Sequence, residues 1–147
     1  MKILTISLRI FHKHLKVQNS FNKFFIPQFT LETGEILKEV EIAYSTYGEL
    51  SKDGKNGVLI FHALTGSQLL SGNFSSEDFP EIPWNEELET GWWDEFIGPN
   101  KIIDTNKYFV VCANYLGGCY GSTGPNSKNS TTGAVSYTHL TLPTNTV

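Results

Sequence analysis

Most of the features that would place this chain in a specialised class are missing. It has two cysteines in 147 residues, too few for a disulfide scaffold. Cys112 and Cys119 fall in or just after a strand-like segment and read as reduced, structural thiols. No apolar run approaches the ~18 residues of a membrane-spanning helix, so no membrane contact is expected. The four histidines and two cysteines show no ligand spacing, so no metal is expected. There are no internal repeats.

Charge of one sign is missing from two stretches. Residues 1–31 hold Lys2, Arg9, Lys13, Lys16 and Lys23 and no acid. The remainder holds six basic and fifteen acidic residues, and an acidic body argues against a nucleic-acid partner. The basic N-terminus makes a poor secretory signal, because Arg9 interrupts a short apolar stretch and no small-residue cleavage site follows. An organellar transit peptide fits its composition, but a loose extension over residues 1–27 is the simpler expectation. Ser67–Thr90 holds Glu77, Asp78, Glu81, Glu86, Glu87 and Glu89 with no Lys or Arg, and reads as a solvated excursion over the surface.

What remains is a globular chain, 39% apolar and 13% aromatic, with room for one domain at most. Thr33-Gly34 reads as a turn between extended pieces. Val40, Ile42 and Tyr44 alternate with Glu39, Glu41 and Ala43, the period of a half-buried antiparallel strand. Ser51–Gly57 is a polar turn. The unbroken runs GVLIFH (57–62) and KYFVVCAN (107–114) fit inner strands covered on both faces. GWWDEFIG (91–98) fits one short helical turn, and Trp84, Trp92 and Trp93 read as packing residues. An early antiparallel hairpin followed by inner strands points to an α/β sheet. Such a sheet needs covering helices that this chain does not supply, so the chain reads as part of a domain.

Two loops could carry chemistry. FHALTGS (61–67) follows a strand directly, and open α/β sheets place ligand sites at the carboxyl ends of their strands. A backbone N–H there can stabilise a developing oxyanion. His62 suits a general base by residue type, yet a lone His at a strand end is more often structural. YLGGCYGSTGP (115–125) misses the G-x-G-x-x-G spacing and has no lysine for a phosphate loop. Its Ser122 misses the G-x-S-x-G nucleophile elbow, because Tyr120 stands at the first glycine position. The loop is expected to be a wall near a site. Cys119 has no base nearby in the sequence to activate it.

LETGEILKEVEIAYSTYGEL, FHALTGSQ, TGWWDEFIGPNKIIDT and YFVVCANYLGGCYGSTGP, in that order, resemble the homoserine O-acetyltransferase (MetX-type) family. The resemblance covers roughly residues 28–133, the front third of such an enzyme. It implies an α/β-hydrolase fold, here incomplete, and acetyl transfer from acetyl-CoA to the hydroxyl of L-homoserine in methionine biosynthesis. The implied mechanism is ping-pong, through an acyl-serine. It further implies Leu64 as an oxyanion-hole donor, with His62, Ala63, Thr65, Gly66, Gly117, Gly118 and Gly121 near the active site. The implied enzyme is a cytoplasmic homodimer that uses acetyl-CoA as substrate and needs no cofactor. The nucleophilic serine, the aspartate and the histidine are expected downstream of Gly133, so the 147 residues as written are expected to be inactive and poorly soluble.

The alternatives are a homoserine O-succinyltransferase, a serine O-acyltransferase, or a truncated non-catalytic protein on the same fold. The tail stands apart from all of these. Val135–Thr144, VSYTHLTLPT, matches one reading frame of a common sequencing adapter, so residues 134–147 are expected to be non-native.

Overall fold

The computed structural model describes residues 20–80, 82–124 and 127–128. Most of the basic extension and the adapter-like tail lie outside the described residues.

Strand β1 (Ser20–Thr30) and strand β2 (Ile36–Tyr47) form the expected antiparallel hairpin, in register from Ser20 opposite Thr46 to Thr30 opposite Ile36. The strand therefore starts eight residues before the boundary expected from sequence. Residues 20–27 are not a loose extension, because Phe21, Phe24 and Ile26 pack part of their surface while facing β2. Pro27 stands opposite Glu39, where the ladder skips a pair and Glu39 adopts a positive φ of 54°. A proline offers no N–H to the ladder and is tolerated on an outer strand.

The alternation in β2 starts as expected, with Val40 fully buried, and then takes the opposite phase. Ala43, Ser45 and Tyr47 are buried, while Ile42 and Tyr44 are only partly covered. The face carrying Tyr47 is the one the Ser67–Thr90 segment covers: the Tyr47 hydroxyl accepts the N–H groups of Leu70 (2.8 Å) and Ser71 (3.3 Å).

Strands β3 (Gly57–Ile60) and β6 (Phe109–Ala113) follow the two apolar runs. The sheet order is β1-β2-β6-β3. β6 pairs antiparallel with β2 and parallel with β3. β6 is an inner strand, with Phe109, Val110 and Cys112 buried. β3 departs from expectation: among the described residues its outer edge is unpaired, and Leu59 and Phe61 are exposed. Asn56 ties the starts of both strands together, donating to the Glu49 and Lys107 carbonyls. Gly48 has a φ of +78° and so little room that a β-carbon would lie 2.3 Å from the Tyr108 carbonyl oxygen.

Between β3 and β6 the chain makes strands β4 (Ile97–Gly98) and β5 (Ile103–Asp104), a small parallel pair. The expected turn at GWWDEFIG is present as an Ile97 N–H to Trp93 carbonyl bond. A 3-10 turn forms at Glu86–Leu88, and no α-helix occurs among the described residues.

The acidic excursion is not merely a surface loop. Glu77, Asp78, Glu86, Glu87 and Glu89 are exposed, but Leu69, Phe79, Ile82 and Leu88 form a core cluster with Phe21, Phe74, Trp84 and Tyr120. Leu70 joins a second cluster with Tyr47, Ile60, Ile97, Val110 and Cys112. The charges mask apolar residues placed at irregular spacing. Asp94 anchors this excursion, accepting the Gly72 N–H (2.7 Å) and the Ser71 hydroxyl (2.8 Å) and pairing with Lys101. The Gly72 N–H first, then Ser71 and Lys101, hold its carboxyl below the usual range. The backbone N–H groups of Asn100 and Asn106 do the same for Asp104.

Two predictions follow from this packing. Tyr47→Phe strands two buried N–H groups and is expected to destabilise the fold by about 2 kcal/mol in a denaturant titration; a loss under ~0.5 kcal/mol would contradict that role. Because Asp94 and Asp104 titrate lower in the folded state, their stabilisation is complete above the unfolded carboxylate value. It is lost as pH falls through the folded value. The melting temperature is therefore expected to hold down to about pH 5 and to fall below about pH 4, less steeply in Asp94→Asn.

Candidate active site

The candidate site lies where β3 and β6 end side by side. Parallel pairing puts Ile60 beside Cys112, so the HALTG loop and the glycine-rich loop leave the sheet at the same end.

In the first loop His62 is 3% exposed. Its Nδ1 lies 2.6 Å from the Ala63 carbonyl oxygen, which also accepts the Gly66 N–H at 2.8 Å. Gly66 leaves little room for a side chain, since a β-carbon would lie 3.2 Å from both the Ala63 oxygen and the His62 Cβ. A carbonyl only accepts, so Nδ1 carries the proton. Nε2 is buried and has no partner among the described residues. Neither nitrogen is open to a substrate, which agrees with a structural His62. Ala63, Leu64 and Thr65 are exposed, and the Leu64 N–H makes no hydrogen bond among the described residues.

The second loop folds back onto β2. Ser122 Oγ accepts the Ala43 N–H (2.9 Å) and donates to the Asn114 carbonyl (3.0 Å). Thr123 Oγ1 accepts the Glu41 N–H, and the Thr123 N–H donates to the Glu41 carbonyl, both at 2.8 Å. These bonds continue the ladder on β2 beyond the end of β6. Ser122 is buried and committed at both ends, and so is no nucleophile.

The glycines themselves serve packing. A β-carbon on Gly118 would lie 2.6 Å from Asn114 Oδ1. Gly117 donates to the Thr123 carbonyl, and Gly121 abuts Phe21 and Ala43. The residues of this loop that reach the HALTG loop are two tyrosines that sequence reasoning passed over. Tyr115 donates its hydroxyl to the His62 carbonyl at 2.6 Å and lays its ring against the imidazole, centroids 4.3 Å apart. The Tyr120 carbonyl accepts from Gln68, a side chain with no exposed surface. The signal available was position: each tyrosine sits beside a glycine-rich turn directly after an inner strand.

Tyr120 also lines a cavity of about 130 Å³ with Thr65, Gly66, Ser67, Leu88 and Trp92. Trp84 packs against the core cluster as expected, but Trp92 and Trp93 do not: both are exposed, and Trp92 is held by its indole N–H donating to the Ser67 carbonyl at 2.9 Å. Burial, then the neighbouring Cys119 and Glu87, raise the Tyr120 phenol. Burial pushes the Cys112 thiol up to about 12, which makes it inert at neutral pH. No group of three or more His, Cys, Asp or Glu among the described residues is placed to hold a metal.

No protein-family model matches the chain. Curated relatives do. The homoserine O-acetyltransferase of Carboxydothermus hydrogenoformans is 50% identical over 111 residues, 76% of this chain and 27% of that protein. That of Methanococcus vannielii is 50% identical over 105 residues, 71% of this chain and 19% of that protein. Among solved structures, the homoserine O-acetyltransferase from Bacillus anthracis aligns with a TM-score of 0.65 and 34% identity, covering 81% of this chain and 31% of that one. Esterase E22 aligns with the same TM-score and 30% identity, covering 79% of this chain and 31% of that one. The chain thus spans no more than about a quarter of the length of these two curated relatives. Over the residues it shares with them, this chain is similar to the homoserine O-acetyltransferases, on an incomplete α/β-hydrolase fold.

Proposed function

We propose that the protein of which these residues form a part is a homoserine O-acetyltransferase, moving an acetyl group from acetyl-CoA to the hydroxyl of L-homoserine. Its substrates are small molecules, it needs no cofactor beyond the acyl donor, and it works in the cytoplasm as a homodimer. The observation that carries the reading is the Leu64 N–H, without a hydrogen bond among the described residues, on a tethered loop at the carboxyl end of β3, in a chain 50% identical over 111 and 105 residues to two enzymes of that name.

The chemistry asks for little more from this part of the molecule. A serine beyond Gly133 attacks the thioester carbonyl, whose oxygen takes up negative charge. A preorganised N–H aimed at that oxygen is worth more in the tetrahedral intermediate than in the substrate. Collapse of the intermediate breaks the carbon–sulfur bond and releases CoA. The homoserine hydroxyl then attacks the acyl-serine through a second oxyanion at the same donor, and the serine is regenerated. Leu64 supplies a backbone group, so its side chain is free to vary.

Esterase E22 is as similar in fold as the Bacillus anthracis enzyme, and an esterase would use the same donor with water as acceptor. The discriminating experiment is thiol release from acetyl-CoA by the full-length protein, with and without homoserine, and with succinyl-CoA as competing donor. Strong homoserine dependence with acetyl-CoA is expected. Hydrolysis indifferent to homoserine would make the protein an esterase, and preference for succinyl-CoA or for serine would reassign donor or acceptor. Leu64→Pro removes the N–H and is expected to lower kcat by about 10²–10³, whereas Leu64→Ala keeps it and should stay within about twofold.

A further inference from the structure

The backbone geometry around Ala63 says which side chains aim the oxyanion donor. A trans peptide is planar, and its C=O and N–H point in opposite directions. Whatever fixes the Ala63 carbonyl therefore fixes the Leu64 N–H. Two donors converge on that carbonyl from within the protein: the His62 imidazole at 2.6 Å and the Gly66 N–H at 2.8 Å. The preceding carbonyl, that of His62, is held by the Tyr115 hydroxyl at 2.6 Å.

We propose that His62 and Tyr115 are positioning residues that orient the Leu64 N–H, an inference that rests on the acyl-transfer reading. His62 does so by donating Nδ1–H to the Ala63 carbonyl. Tyr115 does so twice, through its hydroxyl on the His62 carbonyl and its ring on the imidazole, 4.3 Å away and tilted 47°. Both carbonyls then face inward, and the next N–H faces out at the strand end. His62 has no route to general base catalysis here, because its protonated nitrogen is occupied and its other nitrogen is buried. Tyr115 belongs to the glycine-rich loop, so that loop contributes to the reaction by holding its neighbour and not by touching substrate. Gly66 completes the clamp, since a β-carbon there would crowd both the Ala63 oxygen and the His62 Cβ at 3.2 Å.

The test uses the full-length enzyme. Tyr115→Phe deletes one hydroxyl from a residue that is 36% exposed, and is expected to lower kcat about tenfold, a fraction of the loss from removing the donor itself. KM for acetyl-CoA and the melting temperature should hardly change. His62→Ala should lower kcat at least as much, and His62→Asn, whose amide N–H can reach the same carbonyl, should recover most of it. Each rate is divided by the fraction of enzyme that forms acyl-serine in a burst. If kcat per active site stays within twofold of the parent in both Tyr115→Phe and His62→Ala, the clamp is wrong, whatever happens to stability.

A wild-type protein without acyl chemistry would sink the acyl-transfer reading and leave the geometry to be judged separately by NMR. The clamp requires His62 to be the Nδ1–H tautomer and the Leu64 amide resonance to shift in Tyr115→Phe. An Nε2–H tautomer with an unmoved Leu64 amide would overturn it.

Discussion

The parallel pairing of β3 with β6 is the constraint on which the rest depends. Four consecutive residues of each strand are in register, from Gly57 beside Phe109 to Ile60 beside Cys112. Because both strands run the same way, both carboxyl ends emerge together. Ligand sites of open α/β sheets collect at that end. Had the two strands paired antiparallel, the HALTG loop and the glycine-rich loop would lie at opposite ends of the sheet, and Tyr115 could not reach His62.

Given that pairing, burial accounts for most of the local design. β6 is an inner strand, so the chain leaving it must satisfy the β2 backbone where the ladder ends. Ser122 and Thr123 do this with hydroxyls as well as main-chain groups. A buried amide left without a partner costs a few kcal/mol, which explains why polar side chains line the inside of a loop that otherwise needs glycine for close approach. The long excursion works by the same logic. Its apolar residues divide between two core clusters, and Tyr47 and Asp94 tie down its backbone at residues 70–72.

The likeness to an esterase and to an acyltransferase at the same TM-score is what this geometry leads one to expect. An oxyanion donor serves any acyl-group chemistry that passes through a tetrahedral intermediate. What divides hydrolysis from transfer is the acceptor, and a fold by itself does not choose one. On the function proposed above, the residues described here contribute the oxyanion donor, the part of the chemistry that hydrolysis and transfer share.

Sequence alone determined β2, β3 and β6, the turns between them and the family resemblance. Val- and Phe-rich runs bounded by turn residues mark strands because local patterning and chain stiffness decide them, and HALTG and GGCYGSTGP are recognisable because a tight loop admits few residues. Tertiary structure decided the phase of β2 beyond Val40, the start of the sheet at Ser20 and the burial of apolar residues in the acidic excursion. Ala43 and Ser45 look no more buried in sequence than Ile42 and Tyr44; the glycine-rich loop that folds onto Ala43 and the excursion that reaches Tyr47 settle the face. It also decided the hydrogen-bond partners of His62, Tyr115 and Ser122. A hydrogen bond across 53 residues, like that of Tyr115 to His62, leaves no periodic trace in a sequence, since it depends on which strands become neighbours and not on spacing along the chain.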